Sequence, residues 1–324
     1  MEKELSKLMG FRPEIKVVDA TLRDGGLVND FYFTDDFVKE LYQTNVKAGV
    51  DYMEFGYKAS KELFDVNKFG KWKFCNDEDI RAITGDNDTP LKIAVMADAG
   101  RCDFKNDILK KSDSPIDLIR VACYLHQIPA AIEMIEDAKN KGYEVSCNIM
   151  AISNVQESDL KVALDTIGKS PADVLYIVDS YGSICPEQMA RLADIFLNVA
   201  AKYSKQVGIH AHDNQKLAFA NTIECCGDGV NYLDATYASM GRGAGNCSME
   251  NLIGFLKNPK FNIYPVIKFL EEQMTDLKES CKWGYDWQYL LTGILNQHPR
   301  TAIAYTKDNR NDLTNFYKEI TSES

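Results

Sequence analysis

Val207-Gly208-Ile209-His210-Ala211-His212-Asp213-Asn214 carries two of the chain's four histidines, spaced two residues apart. The run from Gln206 to Ile209 is short, apolar and β-branched, which predicts a buried strand. Side chains at i and i+2 of a strand point to the same side, so both imidazoles project from one strand end. Neutral imidazole binds zinc, iron, cobalt and manganese. The residues alone leave two readings open, a metal site or a pair of ordinarily hydrogen-bonded histidines.

Outward from this strand the pattern repeats. Strands are expected at 15–20, 51–57, 91–96, 117–122, 143–150, 174–179 and 232–236. Helices are expected at 34–48, from Asp77, and at 129–141, 157–167, 186–203 and 215–226. Near-continuous apolar strands between amphipathic helices imply a parallel sheet covered on its faces. Eight such units suit a closed (β/α)8 TIM barrel, with a doubly wound open sheet as the alternative. The barrel domain is placed at 12–258 and a C-terminal helical extension at 259–324, with helices at 263–278, 287–295 and 305–319. The glycine spacing after the first strand does not fit a dinucleotide fingerprint. Gly25 and Gly26 are read as a tight turn. The stretch 58–76, with Phe64, Phe69, Trp72 and Phe74, is read as a long loop or covering flap whose aromatics pack.

Composition narrows the function classes. The 324 residues are 45% hydrophobic, enough for a large core, and no apolar run is long enough to span a bilayer. A net charge of −11 without a basic stripe argues against nucleic acid as partner. Nine scattered cysteines and no secretory pattern suggest reduced thiols in a cytoplasm, with Cys225 and Cys226 simply core residues of a helix.

In a TIM barrel the active groups stand at the C-terminal strand ends. Arg23 and Asp24 follow the first strand there, Asp179 and Ser180 the sixth, His210 and His212 the seventh, and 241–246 the eighth. Two histidines and a carboxylate form a metal set with open positions; Asp24 is the carboxylate chosen. Glu54 is either a carboxylate orienting a ligand or a barrel-layer residue, and the glycines around Asn246 could form a phosphate-binding nest.

Thr21-Leu22-Arg23-Asp24-Gly25, with His210-Ala211-His212 and Gly243-Ala244-Gly245-Asn246, resembles the DRE-TIM metallolyases. These include isopropylmalate synthases, hydroxymethylglutaryl-CoA lyase and, most similar, 4-hydroxy-2-oxovalerate aldolase. The likeness runs from about residue 15 to 255 and includes 119–123 and 174–182. It implies a divalent ion, Mn²⁺ or Mg²⁺ with Co²⁺ or Zn²⁺ as further options, on Asp24, His210 and His212, with Asn246 as a fourth ligand. It implies a 2-oxo acid such as pyruvate as substrate, the ion acting as Lewis acid on the developing enolate. Arg23 would donate to the enolate oxygen, and Ser180 would touch the substrate carboxylate.

The chain departs from the family at the base. Leu27 stands where the aldolases carry a catalytic histidine, and Gly26 does not supply the glutamate of the acyl-CoA synthases. His298, before Pro299 in the extension, is the candidate substitute, and Tyr289 matches a family tyrosine that reaches the site from that region. The expected function is a metal-dependent aldolase or lyase next to a 2-oxo acid. An acyl-CoA-dependent condensing enzyme or lyase and a non-catalytic barrel are the alternatives. A homodimer is compatible with the sequence, while the aldehyde dehydrogenase partner of the family aldolases is not carried over, because this C-terminus departs from theirs.

Overall fold

The computed structural model describes residues 11–322. Eight parallel strands close into a barrel in sequence order, β1 next to β8. They are β1 Lys16–Asp19, β2 Tyr52–Tyr57, β3 Lys92–Asp98, β4 Leu118–Cys123, β5 Glu144–Ile149, β6 Val174–Asp179, β7 Gln206–Ala211 and β8 Tyr232–Ala235. The barrel reading therefore holds over the open sheet. Strands β2, β4 and β6 are buried at every position, because helices cover one face and the barrel interior the other.

Local signals set the helix ends. In the helix Asp35–Ala48, Thr34 accepts from Phe37 N at 3.2 Å, Asp35 and Asp36 occupy the first turn, and Gly49 at φ 75° stops it. The helix predicted from Gln215 starts instead at Ala218. Asp213 caps it by accepting from Ala218 N at 3.0 Å, while Lys216 sits at φ 59° and cannot continue a helix.

The turn expected at Gly25 and Gly26 is a one-turn helix, Thr21–Gly25, with Gly26 at φ −57°. Neither glycine is there for a left-handed conformation. A Cβ on Gly26 would lie 2.2 Å from the Phe31 ring and 2.7 Å from the Leu22 carbonyl oxygen, so close approach is the reason. The stretch 58–76 packs down rather than standing off as a flap. Trp72 is fully buried, Gly70 N donates to Asp30 O at 2.8 Å, and Phe64, Phe69, Phe31 and Tyr57 surround the Lys73 ammonium at 4.4–5.6 Å.

The extension is helical but more broken than expected. Ile263 to Ser280 is continuous apart from a π-turn at Leu270–Met274, and Trp287–Ile294 follows. The single helix expected at 305–319 is two, Arg300–Lys307 and Leu313–Ser322, separated by the polar run 308–312. Trp283 Nε1 donates to Ala238 O at 3.0 Å, Asn214 Nδ2 to Tyr289 O at 3.2 Å, and Asn296 Nδ2 to Ser153 O at 3.0 Å. The extension is thus bonded to loops that follow β5, β7 and β8. No disulfide forms among the described residues, and Cys225 and Cys226 are buried. No described helix is long and apolar enough to cross a membrane.

Candidate metal centre

Side chains alternate along each strand, so a short set of positions faces the barrel axis. Val178 is in register with His210, and Tyr176 with Gly208. A Cβ on Gly208 would lie 2.5 Å from the Tyr176 ring, so only glycine leaves room for that ring below the histidines. Arg120 stacks over the same ring at 4.4 Å.

Asp24, His210 and His212 meet at the C-terminal end of the barrel. Each is buried, and one ligand atom from each lies within 4.8 Å of the others. Asp24 Oδ2 is 3.1 Å from His210 Nε2 and 3.5 Å from His212 Nε2. Asp24 Oδ1 has no hydrogen-bond donor, the Arg23 Nη1 contact at 3.7 Å being too long for one. Asn246 pairs with His212 through an isolated backbone bridge, and its Oδ1 is likewise buried without a donor. Orphaned acceptors beside two imidazoles fit a divalent cation in donor type and in unmet demand.

Behind these three residues runs a chain of charges. His210 Nδ1 lies 2.9 Å from Asp234 Oδ2, which accepts from Arg120 Nη2 at 2.6 Å. Arg120 Nη1 and Arg23 Nε both donate to Glu54 Oε2, at 2.8 and 2.9 Å. Glu54 therefore both fills a barrel layer and orients Arg23. Burial opposes a charge on Asp234, but Arg120 and His210 reverse it and hold its carboxyl below the usual range. An ionised Asp234 accepts a hydrogen bond from Nδ1–H of His210, so Nε2, the nitrogen beside Asp24, is the one that a cation would take.

The electrostatics separate the two histidines. Burial and Arg23 push the His210 pKa down, yet hydrogen bonds to Asp234 and Asp24 outweigh them and raise it. Burial, with Arg242, His210 and Arg23, holds His212 well below its ordinary value against the pull of Asp24, so its imidazole is neutral. Burial would raise Asp24, but the imidazoles and Arg23 hold it well below the carboxylate range.

A cavity of about 440 Å³, mouth included, opens over these groups and is lined by Arg23, Asp24, His210, His212 and Ser180 among others. Leu27 also lines it and is 38% exposed at the mouth. Ser180 Oγ accepts from Ala151 N at 2.8 Å, which leaves its own proton to donate. Tyr289 and His298 are not among the lining residues. The Tyr289 ring packs on Gly243, and its hydroxyl accepts from Thr306 Oγ1 at 3.3 Å. His298 Nδ1 accepts from Arg300 N at 3.1 Å, and its ring meets the edge of Tyr181 at 5.6 Å. Both belong to the contact between extension and barrel.

Three residues of the site, Arg120, Asp234 and Asn148, escaped the sequence reading, and Arg242 lies in the stretch 241–246 that the reading puts at a strand end without a role of its own. Arg120 and Asp234 are charges inside otherwise apolar strands, which was the available signal. Asn148 and Arg242 line the cavity. Asn148 Oδ1 accepts from Ser146 Oγ at 2.7 Å while its Nδ2 is buried without an acceptor.

An eight-stranded barrel with a buried two-histidine, one-carboxylate set at its C-terminal end defines a class of metal-site barrel. The HMGL-like family model matches residues 14–271, and the chain belongs to that family. It is 30% identical over 249 residues to an oxaloacetate decarboxylase of Mycobacterium tuberculosis, covering 74% of this chain and 69% of the relative. It is 28% identical over 258 residues to a 4-hydroxy-2-oxovalerate aldolase of Pelotomaculum thermopropionicum, covering 78% and 72%. Among solved structures, the N-terminal domain of a Bacteroides vulgatus protein assigned as an aldolase superposes with a TM-score of 0.78 at 28% identity, covering 90% of this chain and 96% of that one. A hydroxymethylglutaryl-CoA lyase of Brucella melitensis shares the fold, with a TM-score of 0.64 at 15% identity over 79% and 95% of the chains.

Proposed function

We propose that this chain is a divalent-metal-dependent carbon–carbon lyase that makes or breaks the bond between C3 and C4 of a 2-oxo acid, the bond whose cleavage leaves the enolate of the keto group. The observation that carries the reading is the buried Asp24–His210–His212 set with its orphaned acceptors. Two kinds of relative, an oxaloacetate decarboxylase and 4-hydroxy-2-oxovalerate aldolases, both take 2-oxo acids by name, which supports the substrate class.

Asp24, His210 and His212 would hold the cation, with Asn246 Oδ1 as a fourth donor. Two imidazoles favour Mn²⁺ over Mg²⁺, which prefers oxygen ligands. When bound, the cation supplies Lewis acidity to the 2-oxo acid's carbonyl. Arg23, fixed by Glu54, donates to the oxygen on which enolate charge develops. Ser180 donates its hydroxyl to the substrate carboxylate. Asp234 keeps the Nδ1 proton on His210. Met96, Ala122 and Val178 give the cavity apolar walls, which strengthen these interactions by excluding water.

The base is the point at which this chain differs from family aldolases. Leu27 occupies the base position, and neither His298 nor Tyr289 lines the cavity. Loss of CO₂ from a 3-carboxylated 2-oxo acid generates the enolate without removing a proton, whereas aldol cleavage must deprotonate a hydroxyl. Leu27 favours the decarboxylation within the proposed class.

Incubating the protein with pyruvate in D₂O tests the reading. Metal-dependent deuterium uptake at the methyl group, abolished in Asp24→Asn, is expected. Uptake that is equal with and without the cation contradicts it.

A further inference from the structure

Two of the arginines at the barrel's C-terminal end are matched by carboxylates of the chain. Arg23 has Glu54, and Arg120 has Glu54 and Asp234, all buried. Arg242 differs. It lines the same cavity, yet among the described residues no carboxylate lies within ion-pair distance of it. Its Nη2 donates to the Ser180 carbonyl at 2.5 Å, and its Nε is buried without an acceptor.

A guanidinium carries five donors in a planar fork that matches a carboxylate, and a buried donor left unpaired is costly. The position of Arg242 says which end of a substrate it meets. Its neighbours fix its place: a Cβ on Gly241 would lie 2.1 Å from Nδ2 of Asn246, which bridges to His212, and one on Gly243 would lie 3.2 Å from the Tyr289 ring of the extension. It therefore stands between the ligand set and the extension. The carboxylate next to the keto group already has Ser180 and the proposed cation.

We infer that Arg242 is a specificity residue: it binds a second carboxylate, at the far end of the substrate from the 2-oxo acid group. This rests on the reading of the cavity as a 2-oxo acid site. The preferred substrates are then 2-oxo dicarboxylates. Asn148 Nδ2, the other wall donor without an acceptor, is available to the same ligands.

The test is binding to the Mn²⁺-loaded protein of acids matched in length. 2-Oxoglutarate and 2-oxoadipate carry the second carboxylate; 2-oxopentanoate and 2-oxohexanoate do not. Pyruvate reports on the keto-acid end alone. The wild-type protein is expected to bind at least one diacid more than tenfold more tightly than its uncharged match. Arg242→Met should bring that ratio within twofold and leave the pyruvate Kd within threefold, and Arg242→Lys should keep part of the preference. A wild-type protein that does not prefer either diacid overturns the inference, as does an Arg242→Met variant that weakens pyruvate and the diacids alike. Failure of wild type to bind or exchange pyruvate would instead contradict the underlying 2-oxo acid reading, and the anchor with it.

Discussion

His210 Nδ1 lies 2.9 Å from Asp234 Oδ2, while Nε2 of the same ring lies 3.1 Å from Asp24 Oδ2. One imidazole thus has a carboxylate on either side, and the one backed by Arg120 fixes where the ring proton sits. Replacing Asp234 by Asn removes the charge that holds that tautomer. Partners behind a metal-ligating histidine are worth roughly 10–100-fold in metal affinity. Mn²⁺ titration of Asp234→Asn is expected to show a loss of that order, with the protein still folded by circular dichroism. An unchanged affinity would remove Asp234 from the support of the site.

Arg23 is bonded to Glu54 at 2.9 Å and faces the cavity. Loss of one fixed donor to a developing oxyanion typically slows chemistry about 100–1,000-fold. Arg23→Gln should slow deuterium uptake into pyruvate by that amount while Mn²⁺ affinity changes only a few-fold. A rate within tenfold of wild type would assign Arg23 to structure alone.

Gly208 lies under the Tyr176 ring, where an added Cβ would come within 2.5 Å. That ring cannot retreat, because Arg120 stands over it at 4.4 Å. Gly208→Ala is expected to cost about 1–3 kcal/mol by overpacking, read as a lower urea midpoint at unchanged slope. A midpoint equal to wild type would mean that the barrel interior yields.

Burial, then Arg242 and Arg300, push the His298 pKa from 6.5 to about 4. A folded pKa below the unfolded one contributes stability above pH 6.5, and that contribution is lost as pH falls through about 4. His298 is half-buried, so solvent screening reduces the effect to roughly 1–2 kcal/mol. Between pH 7 and 4.5 the wild-type protein should therefore lose more stability than His298→Gln. Parallel denaturation profiles for the two would show that the ring is not held neutral.

Much of the fold was legible because barrel strands advertise themselves. Val174–Asp179 is apolar almost throughout, and the capped, amphipathic helix at 35–48 follows from Thr34 and Gly49. Boundaries shifted where one side chain decided them, as Asp213 does for the helix that begins at Ala218. The buried Asp24–His210–His212 group was readable from the spacing of two histidines and from the Arg-Asp pair after β1. What lies behind it was not, since the bonds of Asp234 to His210 and Arg120 span 24 and 114 residues. The sequence puts 241–246 at a strand end, but that Arg242 reaches the cavity depends on how the loop after β8 folds back toward Ser180. Tyr289 came from the family resemblance and His298 from its residue type, and packing of the extension keeps both off the cavity lining.

The most direct test is pulsed electron paramagnetic resonance of the Mn²⁺-loaded protein. One tightly bound Mn²⁺ per chain is expected, with nitrogen couplings from two imidazoles that fall to one in His212→Ala. Mn²⁺ that binds weakly, or binds with no imidazole nitrogen coupled to it, would contradict a cation held by Asp24, His210 and His212.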